Sequence, residues 1–379
     1  MISRRAIDIR LLGKKRTGDE AVFFNLTKEL LALDQEHEYW LLTDEKDPSV
    51  LLQLQNRLGC VDQKNVRIVS LSGKNRFLWN LVTLPWFLFR HRVDVYHTQY
   101  ILPLCIPKRT RVLLHIHDVS FKAYPELIGW KDRFFLALLI PRSLRRASRI
   151  LVPSQFTKDE IRRYYGTAEE KIVVIPNAVS DAFLVTSVGE TALQEKYSLP
   201  KQFILFVGTL QPRKNIPLLI RAFAEVTKRI PDIELVIVGN RQGHHFDSAI
   251  DSVIEELDLS MKVHFPGYIA EQDLPGVMRC ASLFVFPSFY EGFGIPLLEA
   301  MSQNVPVACS DIPCLREVAG DAAQYFDPMS VASCQEKLYT LLIQKELRES
   351  VVTLGKSRSG FFSWKKSATL LSQVYETLA

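Results

Sequence analysis

Short apolar runs alternate along the whole chain with longer stretches whose apolar positions recur at helical spacing. In the first half the apolar runs at residues 6–12, 39–42, 66–69, 93–97, 112–116, 150–152 and 172–175 predict strands. Amphipathic stretches at 19–33, 76–90, 131–146 and 155–165 predict helices between them. A turn-rich segment at 175–182 and a weakly patterned one at 185–200 interrupt the alternation. It then restarts, with strands predicted at 203–207, 235–238, 262–265, 283–286, 305–308 and 323–326. The intervening helices fall at 215–229, 247–257, 271–280 and 295–302, and a helical tail covers 329–344, 346–357 and 364–378. Repeated β-α alternation implies a parallel sheet with helices on both faces. The chain therefore reads as α/β, with two tandem Rossmann-like doubly wound domains, 1–182 and 183–362. Such sheets bind ligands beyond the carboxyl ends of their strands, and two facing domains place a substrate cleft between them.

Bulk composition agrees with two globular domains: 379 residues, 47% hydrophobic and 23% charged. The first residues run straight into a predicted strand, with no secretory signal pattern. The longest apolar stretch, 77–89, has about 13 residues, two-thirds of a membrane-spanning helix. Six cysteines show neither a Cys-x-x-Cys pair nor zinc spacing with histidine, which predicts buried, reduced thiols in a cytoplasmic protein. Charge is uneven. Residues 1–180 carry 29 Lys and Arg against 19 Asp and Glu, whereas the rest of the chain carries 18 against 23. A basic first half suits an anionic membrane surface or a phosphate-bearing acceptor. Nucleic acid is not expected, because no binding motif for it is present.

The chemistry concentrates in Ser288-Phe-Tyr-Glu-Gly-Phe-Gly-Ile-Pro-Leu-Leu-Glu-Ala300. A strand precedes it and Pro296 marks a helix start, so Gly292 and Gly294 lie in the loop between. Amides at such a helix start, near Ile295, Leu297 and Leu298, suit a diphosphate, and the glycines allow close approach. Glu291 and Glu299 are eight residues apart, about 80° around a helix, so they do not share a helical face. Glu291 belongs to the loop and Glu299 to the first turns, which allows one ligand lying across the helix start to meet both.

A second constellation, Gly208-Thr-Leu-Gln-Pro-Arg-Lys-Asn215, follows the strand 203–207 and brings Arg213 and Lys214 to its carboxyl end. It lacks the glycine and Ser/Thr of a Walker loop. No Asp-x-Asp occurs, so no metal is expected, and a leaving diphosphate would be stabilised by Arg213, Lys214 and the helix start. In the first half His117 and Asp118 end the strand 112–116, and a glycine loop, Gly13 to Gly18, follows the first strand.

Taken together and in order, His117-Asp118, Ile175-Pro-Asn177, Gly208 with Arg213-Lys214-Asn215, and Glu291 with Glu299 resemble the retaining GT-B glycosyltransferases of family 4. The likeness runs over nearly the whole chain and includes Phe362-Ser-Trp364, which resembles the family's closing helix that crosses back to the first domain. The resemblance implies metal-independent, retaining transfer of a hexose, first of all mannose, from a nucleoside diphosphate sugar to a glycan or lipid-linked acceptor. The second domain would bind the donor, with Glu299 on the ribose, Arg213 and Lys214 on the diphosphate, and Tyr268 in the base pocket. Glu291, with the amides of Phe293 and Gly294, would hold the transferred sugar. Glu317 matches a recurrent glutamate. The first domain would bind the acceptor, with His117 approaching the sugar and Gly18 and Asp118 on the acceptor side, and residues 363–379 would pack back on it. No cofactor is implied, and the place of action would be the cytoplasm or the inner face of the plasma membrane.

Two departures stand out: Gly18 is followed by Asp19-Glu20, an acidic pair that disfavours a phosphate there, and Asn177 is followed by Ala178. A sugar-nucleotide epimerase on the same architecture, or a non-catalytic nucleotide-sugar-binding protein, are the alternative readings.

Overall fold

The computed structural model describes residues 2–13, 18–73, 75–127, 129–184, 189–243 and 246–378. They divide into two compact units. The first comprises Met1–Lys122, Trp130–Asn177 and Ser363–Ala379, and the second Ala123–Gly129 and Ala178–Phe362.

In the first unit β1 (Arg4–Asp8), β2 (Glu38–Thr43), β3 (Val66–Ser70), β4 (Val95–Gln99), β5 (Arg111–His115), β6 (Arg149–Val152) and β7 (Ile172–Val174) form a parallel sheet in the order β3-β2-β1-β4-β5-β6-β7. In the second, β8 (Phe203–Val207), β9 (Glu234–Val238), β10 (Val263–His264), β11 (Leu283–Phe286), β12 (Val307–Ser310) and β13 (Gln324–Phe326) run in the order β10-β9-β8-β11-β12-β13, again parallel. Strand order reverses at β1/β4 and at β8/β11. A doubly wound sheet leaves its ligand crevice at such a point, beyond the carboxyl ends of the strands.

Near-continuous apolar runs make these strands because both faces are covered. Phe203, Phe206, Phe284 and Phe286 of β8 and β11 are all fully buried. Boundary signals work where side chains can cap. Ser154 Oγ accepts from Thr157 N at 3.1 Å to open the helix Gln155–Tyr165, and Gly166 closes it at φ 61°. Four helices among the described residues carried no prediction. Pro48–Leu58 buries only Leu54 and Leu58, Glu190–Lys196 buries only Leu193, and Ser120–Ala123 and Pro313–Ala319 are short. Too thin or too brief an apolar stripe leaves no period to read. The predicted 76–90 helix is divided: a π turn, Trp79–Thr83, separates Arg76–Leu78 from Leu84–Arg90, next to Pro85, which has no amide to donate back.

β1 begins at Arg4, two residues before the first apolar position, and ends at Asp8 rather than 12. Its Arg5 is fully buried, where charge is ordinarily excluded. Arg5 Nη1 donates to Asp34 Oδ2 at 2.5 Å and to the Tyr39 hydroxyl at 2.8 Å, and Nη2 to Glu376 Oε1 at 2.5 Å. Glu376 ends the helix Trp364–Glu376, which packs on Gly18–Leu33. The closing helix is thus part of the first unit and is held there by a buried guanidinium. All six cysteines are free; Cys60, Cys309, Cys314 and Cys334 are buried, but Cys105 is exposed, contrary to the expectation that all lie inside. No helix among the described residues is long and apolar enough to cross a membrane.

Candidate active site

The second unit's switch point sets two loops side by side, one after β8 and one after β11. The first closes with the 3₁₀ turn Pro212–Lys214. Asn215 then turns at φ 55° and opens the helix Ile216–Thr227, its side-chain amide donating to Pro328 O at 2.8 Å. The second loop leads into the helix Ile295–Ser302, with Pro296 in its first turn as expected. Phe289 N donates to Arg213 O at 2.9 Å, which joins the two loops through their backbones.

Across this junction lie the three charged residues singled out in the sequence. Lys214 Nζ donates to Glu291 Oε1 at 2.5 Å, and Arg213 Nη1 lies 3.3 Å from Glu291 Oε2 and from Tyr290 O. Lys214 also stands over the Phe286 ring, 5.0 Å from its centroid. Lys214 and Glu291 are buried, and Arg213 is half-buried. Burial alone would raise the Glu291 carboxyl; the charges of Lys214 and Arg213 overcome it and hold the group below its ordinary value. A buried carboxylate with two cations is a polar centre able to accept sugar hydroxyls on one side and present positive charge on the other. The expectation had given the acid and the two bases to different parts of a ligand. In the structure they are one ion-paired group.

Glu299 lies in the first turns of its helix and is buried, so it is not a solvated surface acid. Gly294 has φ 104°, and a Cβ there would approach Leu315 Cδ2 to 2.8 Å, so the loop requires glycine on two counts. The amides expected to be free are not all so. Leu297 N donates to Gly294 O at 3.1 Å, and Pro296 has no amide. Positions 296 and 297 of this helix start therefore offer no free amide, and the Leu297 and Leu298 side chains belong to the core. Phe293 is packed edge-on against Phe362, centroids 5.4 Å apart. Gly208 follows β8, and Gly239 after β9 packs so tightly on it that any Cβ at 239 would overlap the Gly208 carbonyl. Gly239 was missed, for a lone glycine after a strand reads only as a turn. Tyr268 follows β10, two strands away from β8, and is 80% exposed. Glu317 contributes its carbonyl to Arg358 Nη2 at 2.6 Å.

In the first unit His117 follows β5. Its Nε2 lies 2.8 Å from Gln99 Oε1, within hydrogen-bonding distance, and its ring stacks on His115 at 4.3 Å. His97 and His115 are fully buried beneath it. Burial and the neighbouring His117 push His97 down to about 3 and His115 well below its ordinary value. Asp118 Oδ1 accepts from Ser120 N at 2.9 Å and so caps the short helix Ser120–Ala123. Gly18 opens the helix Gly18–Leu33, with Asp19 and Glu20 in its first turn, where the helix dipole favours acids. Gly13 is described, but the intervening residues 14–17 of that loop lie outside the described residues. Among the described residues, Asp34, His37 and Glu376 stand close enough to share a metal ion. Arg5 already binds both carboxylates, so its guanidinium supplies the charge a cation would bring.

Comparison with known proteins now adds to this geometry. Residues 17–183 match the model described as Glycosyltransferase Family 4, and residues 190–358 that of Glycosyl transferases group 1. O-antigen chain mannosyltransferase B of Escherichia coli is 33% identical over 376 residues, 96% of each chain. The chain belongs to glycosyltransferase family 4. O-antigen chain mannosyltransferase RfbU of Salmonella typhimurium is 30% identical over 62% of this chain and 61% of its own. The fold matches sucrose-phosphate synthase from Thermosynechococcus elongatus (TM-score 0.77, 19% identity, covering 100% and 99% of the two chains). It also matches Anabaena HepE in complex with UDP-glucose (TM-score 0.76, 16% identity, all of both chains). These likenesses give the family 4 chain the GT-B fold, and the family makes it an enzyme that transfers a hexose.

Proposed function

We propose that this glycosyltransferase moves mannose from GDP-mannose to a growing, lipid-linked polysaccharide, with retention of configuration and without a metal ion. The observation that carries it is the Glu291–Lys214–Arg213 group at the β8/β11 switch point, in a chain whose relatives over its full length include an O-antigen mannosyltransferase. Lys214 and Arg213 supply the positive charge that a departing diphosphate needs, and the sequence lacks the Asp-x-Asp through which such enzymes commonly hold a cation. Glu291 and the amides of Phe293 and Gly294 hold the hydroxyls of the transferred mannose. Glu299 takes the ribose hydroxyls. Tyr268 borders the base. The leaving diphosphate receives the acceptor's proton on the same face of the sugar. The first unit, with His117 at the carboxyl edge of its sheet, takes the acceptor, and Gly18 and Asp118 border that side.

A thermal-shift panel of GDP, UDP, ADP and dTDP with their sugars tests the donor, since a bound ligand raises the melting temperature by mass action. Stabilisation by UDP sugars and not by GDP-mannose refutes the donor assignment. Transfer measured with a chelator, and the anomeric configuration of the product by NMR, test the rest: loss of turnover with chelator, or an inverted product, overturns the mechanism. Glu299→Gln should weaken nucleotide binding, whereas unchanged affinity removes Glu299 from the ribose.

A further inference from the structure

The helical run from Arg76 to Arg90 is apolar on two sides. Trp79, Leu84, Phe87 and Leu88 enter the core. On the other side Leu81, Val82, Trp86 and Phe89 are each more than half exposed, at 51%, 57%, 64% and 58%. Ordinary surface helices carry one apolar stripe and turn a polar face outward. The helix Trp130–Arg146 repeats the anomaly with Phe134 and Leu138, exposed by 63% and 62%. Scattered exposed apolar residues are normal, but a contiguous set marks an interaction surface.

These two elements form one face. The Phe77 and Phe135 rings meet edge-on, with centroids 6.1 Å apart. Between the helices lies the loop that carries Leu104, itself 53% exposed. Leu104 N donates to Asn80 O at 3.0 Å on one side, and Arg142 donates to the Leu104 carbonyl on the other. The exposed charged side chains described on these two helices have one sign: Arg90 on the first, and Arg133 and Arg145 on the second, against one half-buried acid, Asp132. Along the helix Trp130–Arg146 the exposed Phe134, Leu138 and Arg145 fall on one face, Leu138 about one turn and Arg145 about three turns after Phe134.

We infer that this face of the first unit docks on an anionic lipid bilayer, with Trp86, Phe89, Phe134 and Leu138 entering the acyl boundary and the arginines meeting the headgroups. An interfacial element combines an apolar face with flanking basic residues in this way, and tryptophan favours that depth. The charge selects this occupant over a second copy of the chain: an isologous contact would set basic rim against basic rim. The apolar stretch is too short to span, so the attachment lies in the plane of the membrane. The inference stands independently of which sugar is transferred, although it suits a lipid-linked acceptor.

Co-sedimentation of the full chain with vesicles tests it. Wild type should bind vesicles of phosphatidylcholine with 30% phosphatidylglycerol, lose binding as salt is raised, and bind pure phosphatidylcholine at least tenfold more weakly. Each basic residue near such a surface contributes about a factor of five, so Arg133→Gln with Arg145→Gln should weaken binding by roughly 25-fold. The triple variant Trp86→Ser, Phe134→Ser and Leu138→Ser should lose binding while melting like wild type and keeping its nucleotide affinity, since none of these residues belongs to the proposed donor site. Absence of binding to anionic vesicles overturns the inference, as does equal binding to both vesicle types. A lipid-free dimer that the triple variant converts to monomer assigns the face to self-association and overturns it too.

Discussion

Removing the charge of Glu291 is the most direct test of the group at the switch point. In Glu291→Gln the shape is kept, and the amide oxygen still accepts from Lys214 Nζ, but the ammonium loses its counter-charge. The Lys214 and Glu291 side chains are only 8% and 9% exposed. Deleting one partner of a buried pair costs about 3–5 kcal/mol, because the remaining ion stays desolvated and unpaired. The retained hydrogen bond puts this variant at the lower end, about 3 kcal/mol. Arg213, 22% exposed at its side chain and at 3.3 Å, adds less, about 1 kcal/mol at most. For a unit of this size the loss lowers the melting temperature by roughly 6–12 °C. Lys214→Met should destabilise by a similar amount, leaving the buried carboxylate with Arg213 alone. The double variant removes both buried charges, so it should be less destabilised than the two single losses added together by about 2 kcal/mol or more.

Denaturation of the four proteins in parallel measures this coupling. The acid side provides an internal check. The folded Glu291 is held below its ordinary value, so its contribution is present above about pH 4.3, the unfolded value, and fades as pH falls through the folded one. The gap between wild type and Glu291→Gln must therefore narrow in acid. Additivity within about 0.5 kcal/mol, or a gap that widens below pH 4, refutes the ion-paired group as the organiser of these two loops.

Gly294→Ala should lower stability by roughly 1–3 kcal/mol through its backbone angle alone and more through the approach to Leu315; a melt within 1 °C of wild type refutes this. His97 and His115 are held neutral, with folded values below the unfolded 6.5, so stability present above pH 6.5 should drain as pH falls, by up to about 1.4 kcal/mol per pH unit for each; a flat profile between pH 6.5 and 5 counts against it. Arg5→Met leaves Asp34 and Glu376 without their shared cation and should loosen the closing helix by about 3 kcal/mol, read as faster amide exchange in residues 364–376; unchanged exchange there overturns that role.

How much of this could be read from the sequence follows from the range of the interactions involved. β8, β11 and the helix Ile295–Ser302 were legible to the residue, because apolar runs and Pro296 coincide with their limits. β1 was displaced because Arg4 and Arg5 read as the polar end of a strand, although Arg5 is fully buried among groups 29, 34 and 371 positions away. The limits of β12 moved two residues from the apolar run, since Pro306 cannot donate to the ladder. The motif residues of the candidate site were found, yet their relation was not. Arg213 and Lys214 lie 78 and 77 positions before Glu291, and only the order of β8 next to β11 brings them together.

That relation alters the chemistry proposed for the site. Read one by one, Lys214 was a phosphate clamp and Glu291 a sugar acceptor, each waiting for its part of the donor. Joined at 2.5 Å, they already neutralise one another. A diphosphate that draws on Lys214 must share it with Glu291, and a sugar hydroxyl that donates to Glu291 relieves Lys214. Under the proposed roles, donor binding at one end of the pair would change the electrostatics at the other, because both charges lie in a buried, weakly screened setting. Phosphate and sugar recognition would then be coupled through a single hydrogen bond. Substituting either residue should therefore change affinity for the complete nucleotide-sugar by an amount that the free nucleotide and the free sugar, measured separately, do not add up to.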